Sequence, residues 1–206
     1  MRILVLGATG RVGSVILNHA LRDEHEVSAL VRQPDKVSLS NRMLTIIQGN
    51  AMNRADLSLA IRKVDVIISA LGTDGTTTLS ESMKIMIDEM NNQGINRIIT
   101  VGTAGILQSR TEPELYRYQS SESRRRSAIA AEEHRRVYER LRGSNLNWTI
   151  VCPTYLPDGD ATGSYRVERD YLPEDGVSIS VGDTAAFTYQ QIVSSEYIRT
   201  RVGIAY

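Results

Sequence analysis

Residues 1–13 read Met1-Arg2-Ile3-Leu4-Val5-Leu6-Gly7-Ala8-Thr9-Gly10-Arg11-Val12-Gly13, and this stretch decides the fold. Ile3 to Leu6 form a short, β-rich apolar run, as a strand buried on both faces requires. Val12, Val15, Ile16, Ala20 and Leu21 recur at helical spacing, so a helix opens inside the glycine run. A strand that turns directly into a helix aims unpaired backbone N–H groups, and the positive end of the helix dipole, at whatever lies above the turn. That combination suits a pyrophosphate. Gly7 permits the tight turn, Gly10 allows close approach of a phosphate, and Gly13 lets the helix pack on the strand. The spacing is G-x-x-G-x-x-G rather than the commoner G-x-G-x-x-G.

Outward from this turn, strand and helix signals alternate. Strands are expected at Glu26–Val31, Leu44–Ile47, Asp65–Leu71, Arg97–Val101 and Asn147–Val151. Helices are expected near 11–22, 53–62, 77–92 and 122–142. This alternation predicts an α/β fold, a doubly wound parallel sheet of Rossmann type with right-handed crossovers. From Pro153 onward prolines and glycines crowd together. Residues of about 153–182 read as a small loop-rich cap on the substrate side, with a hairpin between Tyr165–Arg169 and Val177–Ser180. A helix near 183–194, with Asp183 as N-cap, and a strand near 198–205 close the chain. Residues 1–206 are read as one NAD(P)-binding domain.

Composition narrows the function classes. The 206 residues carry zero formal net charge, which gives no broad nucleic-acid footprint. The arginines between Arg117 and Arg142 are interleaved with glutamates, as on a solvated helix face. Cys152 is the single cysteine, so no internal disulfide forms, and a cytoplasmic location is expected. No stretch is apolar and long enough to span a bilayer. His19, His25 and His134 are scattered, and no metal site is predicted.

A site that prefers NAD places an acid at the end of the second strand, where it holds the ribose 2′-hydroxyl. Here that strand ends Ala29-Leu30-Val31-Arg32. Arg32 stands where the 2′-phosphate of NADP(H) lies and suits a bidentate pair with it, with Lys36 near enough to assist. The turn Gly49-Asn50-Ala51 flanks the adenine, and Asn50 offers a donor and an acceptor to a base edge. Leu71-Gly72-Thr73 follows the fourth strand, where Gly72 lets backbone approach the cofactor ribose.

Thr103 follows the fifth strand, next to where a nicotinamide reaches. Its hydroxyl either bonds carboxamide or substrate, or caps the strand end. Short-chain dehydrogenases place a Tyr-x-x-x-Lys pair on the next helix, but the last lysine here is Lys84. His134 and Tyr138 share one face of the long helix, pointing either at the site or into helix packing. Tyr155, after the sixth strand, overlooks the sheet edge and is the proton-relay candidate.

Four stretches stand in order along the chain: Leu6-Gly7-Ala8-Thr9-Gly10, Leu30-Val31-Arg32, Ala70-Leu71-Gly72-Thr73 and Thr162-Gly163-Ser164-Tyr165. With them the chain resembles the atypical short-chain reductases of the biliverdin-IXβ and NADPH-flavin reductase type, within the NmrA-like superfamily. The resemblance implies hydride transfer from NADPH to a flavin, quinone or linear tetrapyrrole. It implies cofactor contacts at Gly7, Thr9, Gly10, Arg11, Val12, Arg32, Leu71, Gly72 and Thr73, and a monomer, with a dimer as the alternative. The group's adenine-side Asp is Asn50 here, its active-site serine is Thr103, and the histidine after its sixth strand is Tyr155. Its helix histidine is kept as His134. Flavin or quinone reduction demands less of a protein acid than biliverdin reduction, because the acceptor itself holds the charge. Two other readings are a redox-sensing regulator that binds NADP(H) without turnover and a nucleotide-sugar epimerase. The second also wants the Tyr-Lys pair and a longer C-terminal domain.

Overall fold

A computed structural model describes residues 1–123 and 127–206. Eight strands are β1 (Arg2–Leu6), β2 (Glu26–Val31), β3 (Leu44–Gln48), β4 (Val66–Ser69), β5 (Arg97–Val101), β6 (Asn147–Pro153), β7 (Arg166–Arg169) and β8 (Thr200–Ala205). Five α-helices are α1 (Arg11–Arg22), α2 (Arg54–Ile61), α3 (Thr78–Gln93), α4 (Ile129–Arg142) and α5 (Val181–Gln190). The strands form one sheet in the order β3-β2-β1-β4-β5-β6-β8-β7. Every pairing is parallel except β7 with β8. Order reverses at β1: the chain builds outward through β2 and β3, then returns to lay β4 on the other side of β1. Such a reversal opens a crevice at the carboxyl ends of the strands.

Alternation along the central strands divides the core in two. Leu4, Leu6, Ile67 and Ile98 face α2, α3 and α4, packing with Leu57, Met83, Met86 and Val137. Ile3, Val5, Ile68 and Ile99 face α1 and α5, packing with Ile16, Leu17, Ala185 and Phe187. Ile3 through Leu6 are at most 1% exposed, so β1 lies fully between the two helical layers. β3, at the sheet edge, is only half covered, and Ile46 remains exposed.

The doubly wound expectation holds, with local differences. β4 stops at Ser69 rather than Leu71, because Ala70 is the last residue to pair with β1, through its amide on the Leu6 carbonyl. α4 begins at Ile129, not near 122: Glu122 is drawn out of any helix by its bonds to the preceding loop. Residues 124–126 of that expected helix lie outside the described residues. The expected hairpin does not form. β7 pairs antiparallel with β8, Val167 opposite Ile204, while Ser178 bridges to Tyr155. α5 is capped by Ser180, whose hydroxyl accepts from the Asp183 amide at 3.0 Å. Asp183 itself sits in the first turn, where it accepts from the Thr162 amide at 2.9 Å, the Gly163 amide at 2.8 Å and the Tyr206 hydroxyl at 2.7 Å. Burial pushes the Asp183 carboxyl up, but these bonds outweigh it and hold its pKa below the usual carboxylate value. The Thr162-Gly163 turn is thus pinned to the start of α5.

Candidate active site

The glycine turn is built as its spacing demands. Gly7 has φ +77°, and a Cβ there would stand 2.4 Å from the Ala70 carbonyl oxygen. A Cβ on Gly13 would stand 2.1 Å from the Gly7 carbonyl oxygen, so α1 packs on β1 only because that side chain is missing. Gly10 differs: its Cβ would meet only the Gly7 carbonyl oxygen, at 3.3 Å. Around Gly72 nothing lies within 4 Å. Gly7 and Gly13 are therefore glycines for packing, whereas Gly10 and Gly72 border open space. The first-turn amides of Arg11, Val12 and Gly13 have no acceptor among the described residues. Open space beside Gly10 and unpaired amides at the positive end of α1 fit a diphosphate. Thr9 is exposed beside them.

Sequence-predicted residues line up along the carboxyl edge of the sheet. Arg32 ends β2, Gly7 to Arg11 follow β1, Leu71 to Thr73 follow β4, Thr103 follows β5, and Thr154 and Tyr155 follow β6. Four strand spacings separate the first from the last, about 19 Å, long enough for an extended dinucleotide. Arg32 is exposed and makes no hydrogen bond or ion pair among the described residues. Lys36 is exposed in a 3-10 turn over Pro34–Lys36. The Asn50 amide donates to Asp56 at 2.8 Å, and its side-chain oxygen accepts from the Met52 amide at 3.0 Å. This fixes the turn and leaves the side-chain NH2 to donate. Ala51 and Leu71 are half-buried against the same core.

At the carboxyl end of the sheet, a cavity of about 700 Å³ opens between the loop after β5, the end of β6 and residues 172–177. Ala104, Gly105, Thr154 and Tyr155 form its inner wall, and Arg110 and Arg117 its outer one. Tyr155 is 67% exposed, with its ring available to a flat ligand. Thr103 is buried one residue behind that wall, and its hydroxyl accepts from the Gly105 amide at 3.4 Å. It caps the turn and keeps its own proton to donate. His134 is half-buried on α4 and does not line the cavity. Tyr138 belongs to the core, edge-on to Trp148 and under the Arg201 guanidinium at 4.4 Å. Cys152 lies buried below the site, its thiol pushed up to about 12 by desolvation, which makes it unreactive.

Sequence reasoning missed Glu122. Its carboxylate accepts from the Ser109 hydroxyl at 2.7 Å, the Arg110 amide at 2.5 Å, the Thr111 amide at 3.0 Å and the Arg117 guanidinium at 2.8 Å. One side chain thereby ties the outer wall together. Burial pushes its pKa up, but the bonds from Arg117, Ser109, Thr111 and Arg110 outweigh that and bring it down to about 2. A depressed carboxylate stabilises the fold fully above its ordinary value of 4.5 and loses that contribution as pH falls toward 2. Glu122→Gln is expected to lose about 2 kcal/mol at pH 7. Denaturant titrations at pH 7, 4.5 and 2.5 are expected to show the gap to the unmodified chain closing with acid. A gap independent of pH would refute the assignment.

The model of a protein family described as NAD(P)H-binding matches residues 7–195. The uncharacterized protein YwnB of Bacillus subtilis is 26% identical over 176 residues, covering 82% of this chain and 80% of that protein. Among solved structures, a protein assigned as an NADH-flavin reductase from Streptococcus pneumoniae superposes with TM-score 0.83 at 25% identity, over 100% of this chain and 99% of that one. An anaerobillin reductase from Escherichia coli O157:H7 shares the fold, with TM-score 0.82 at 24% identity, over 100% and 97%. A probable pinoresinol-lariciresinol reductase of Arabidopsis thaliana is 38% identical over 74 residues, and this chain covers 24% of its length. No helix among the described residues is long and apolar enough to cross a membrane.

Proposed function

Because the chain belongs to the NAD(P)H-binding family, we propose that it is a reductase that uses NADPH to reduce a flat conjugated acceptor, a flavin or quinone, held in the cavity beside Tyr155. The bound dinucleotide supplies the hydride. Residues of this chain do the rest. The amides of α1 and Arg32 hold the cofactor, and the strand ends place it in line with the cavity. The Tyr155 hydroxyl donates a hydrogen bond to the reducible end of the acceptor, and the Thr103 hydroxyl, behind the cavity wall, holds the Ala104-Gly105 turn that lines it. Residues 153–182 act as the substrate-side cap. Positioning two reactants in one crevice is the main source of rate in this scheme.

One observation carries the reading: a cofactor-length edge of open glycines and free amides runs into a cavity walled by an exposed tyrosine. Thr103→Ala and Tyr155→Phe are each expected to lower acceptor reduction about 10-fold, the worth of one orienting hydrogen bond, with NADPH affinity unchanged. Stopped-flow measurement of NADPH oxidation with FMN and with a quinone checks both. Tight NADPH binding without turnover on any acceptor would indicate a redox sensor instead.

A further inference from the structure

Arg11 stands between the phosphate cradle and the loop that follows Tyr155, two parts of the site that also meet where Leu156 packs against the cluster that holds Ala8 and Val12. It is the first residue of α1, beside the phosphate cradle. One nitrogen of its guanidinium, Nη1, donates to the Leu156 carbonyl at 3.0 Å and to the Asp158 carboxylate at 2.9 Å. Both partners lie in the loop that follows Tyr155, 145 and 147 residues away in the chain. The same loop is held from its other side by the start of α5. The Val181 amide donates to the Pro157 carbonyl at 3.1 Å, the Gly182 amide to the Gly159 carbonyl at 2.9 Å, and the Ser180 hydroxyl to the Asp160 carbonyl at 2.9 Å.

Nε and Nη2 of Arg11 make no hydrogen bond among the described residues. Together they form the fork that binds a phosphate bidentately. The guanidinium is planar and rigid, so filling one edge fixes the direction of the other. Its present hold is weak: the Arg11 and Asp158 side chains are 57% and 81% exposed, and an ion pair this exposed orders little on its own.

We propose that Arg11 is a positioning residue that couples the two halves of the site. Its Nε–Nη2 edge takes the cofactor diphosphate while Nη1 keeps the 156–158 loop, so cofactor binding firms the loop that carries Tyr155 and prepares the acceptor cavity. Acceptor then binds after cofactor. By linkage, whatever cofactor does for the loop, the loop does for cofactor affinity. The inference rests on the NADPH reading alone; turnover does not enter it.

Amide hydrogen exchange of Val181 and Gly182, whose acceptors are loop carbonyls, reads the coupling directly. Saturating NADPH is expected to slow their exchange about five-fold or more in the unmodified chain, the lower end of ordinary coupling between sites. In Arg11→Met, saturated with NADPH as judged by fluorescence titration, the increment is expected to vanish. If that variant binds too weakly to saturate, Asp158→Ala, which keeps the cofactor-facing edge of Arg11, carries the comparison with a smaller increment. Exchange that is unchanged or faster with NADPH overturns the proposal, as does an equal increment in the variants. Failure of the unmodified chain to bind NADPH would instead overturn the cofactor reading.

Discussion

Arg32→Glu is expected to reverse cofactor choice. The unmodified chain should bind NADPH well ahead of NADH, and the variant should lose about 10- to 100-fold in NADPH affinity, the worth of a charged hydrogen-bonded pair. NADH binding should hold or improve, because a carboxylate at the end of the second strand suits the ribose 2′-hydroxyl. The reason lies in what Arg32 is not doing. It is exposed, forms no ion pair among the described residues, and sits at the strand tip next to the glycine turn. Removing it therefore costs the fold little, and a change in thermal stability should not accompany the change in affinity. Fluorescence titration of both reduced cofactors against both chains tests this. Equal affinities in the unmodified chain would contradict it.

The second large effect separates four glycines into two pairs. Gly13→Ala places a methyl 2.1 Å from the Gly7 carbonyl oxygen, and Gly7→Ala adds a positive φ to a contact of 2.4 Å with Ala70. Both obstacles are backbone, which cannot rotate aside. Each substitution is expected to cost about 3 kcal/mol or more, as overpacking in a filled core does, and to lower the yield of folded protein. Gly72→Ala meets open space, and Gly10→Ala meets a single backbone contact, the Gly7 carbonyl oxygen at 3.3 Å, tight but looser than the other two. Gly72→Ala should fold with normal stability and Gly10→Ala with a smaller loss than Gly7→Ala or Gly13→Ala, yet both should bind NADPH more weakly, because the added methyl enters the room the cofactor needs. Chemical denaturation and cofactor titration on the four variants give a two-by-two result. Equal destabilisation by all four, with NADPH affinity unchanged in Gly10→Ala and Gly72→Ala, would show that these two glycines serve packing alone.

The parts of the fold written in local periodicity were the parts legible beforehand. β1, α1, β2, β5 and the chain-order alternation follow from apolar spacing and glycine placement, and these fix the sheet and its crevice. What escaped depends on partners distant in sequence. β7 pairs with β8 more than 30 residues later, so a four-residue run at 166–169 gives no sign of which strand it joins. Ser180, not Asp183, caps the helix, and the Asp183 carboxylate instead holds Thr162 and Gly163, 21 and 20 residues upstream. The placement of Arg32, the glycines and Tyr155 at the carboxyl edge of the sheet was legible because strand ends define their positions. Glu122 was not: a glutamate among serines and arginines looks solvated until the loop folds back on it. The Arg11 contact with Asp158 spans 147 residues and has no sequence signal at all.

The central claim is that hydride leaves NADPH for an acceptor held in the cavity beside Tyr155. Single-turnover reduction of FMN or a quinone with NADPH deuterated separately at each face of C4 tests it most directly. The account predicts a primary isotope effect for one face only, with the rate lowered in Tyr155→Phe. Acceptor reduction without an isotope effect at either face, or none at all in the presence of bound NADPH, would contradict it.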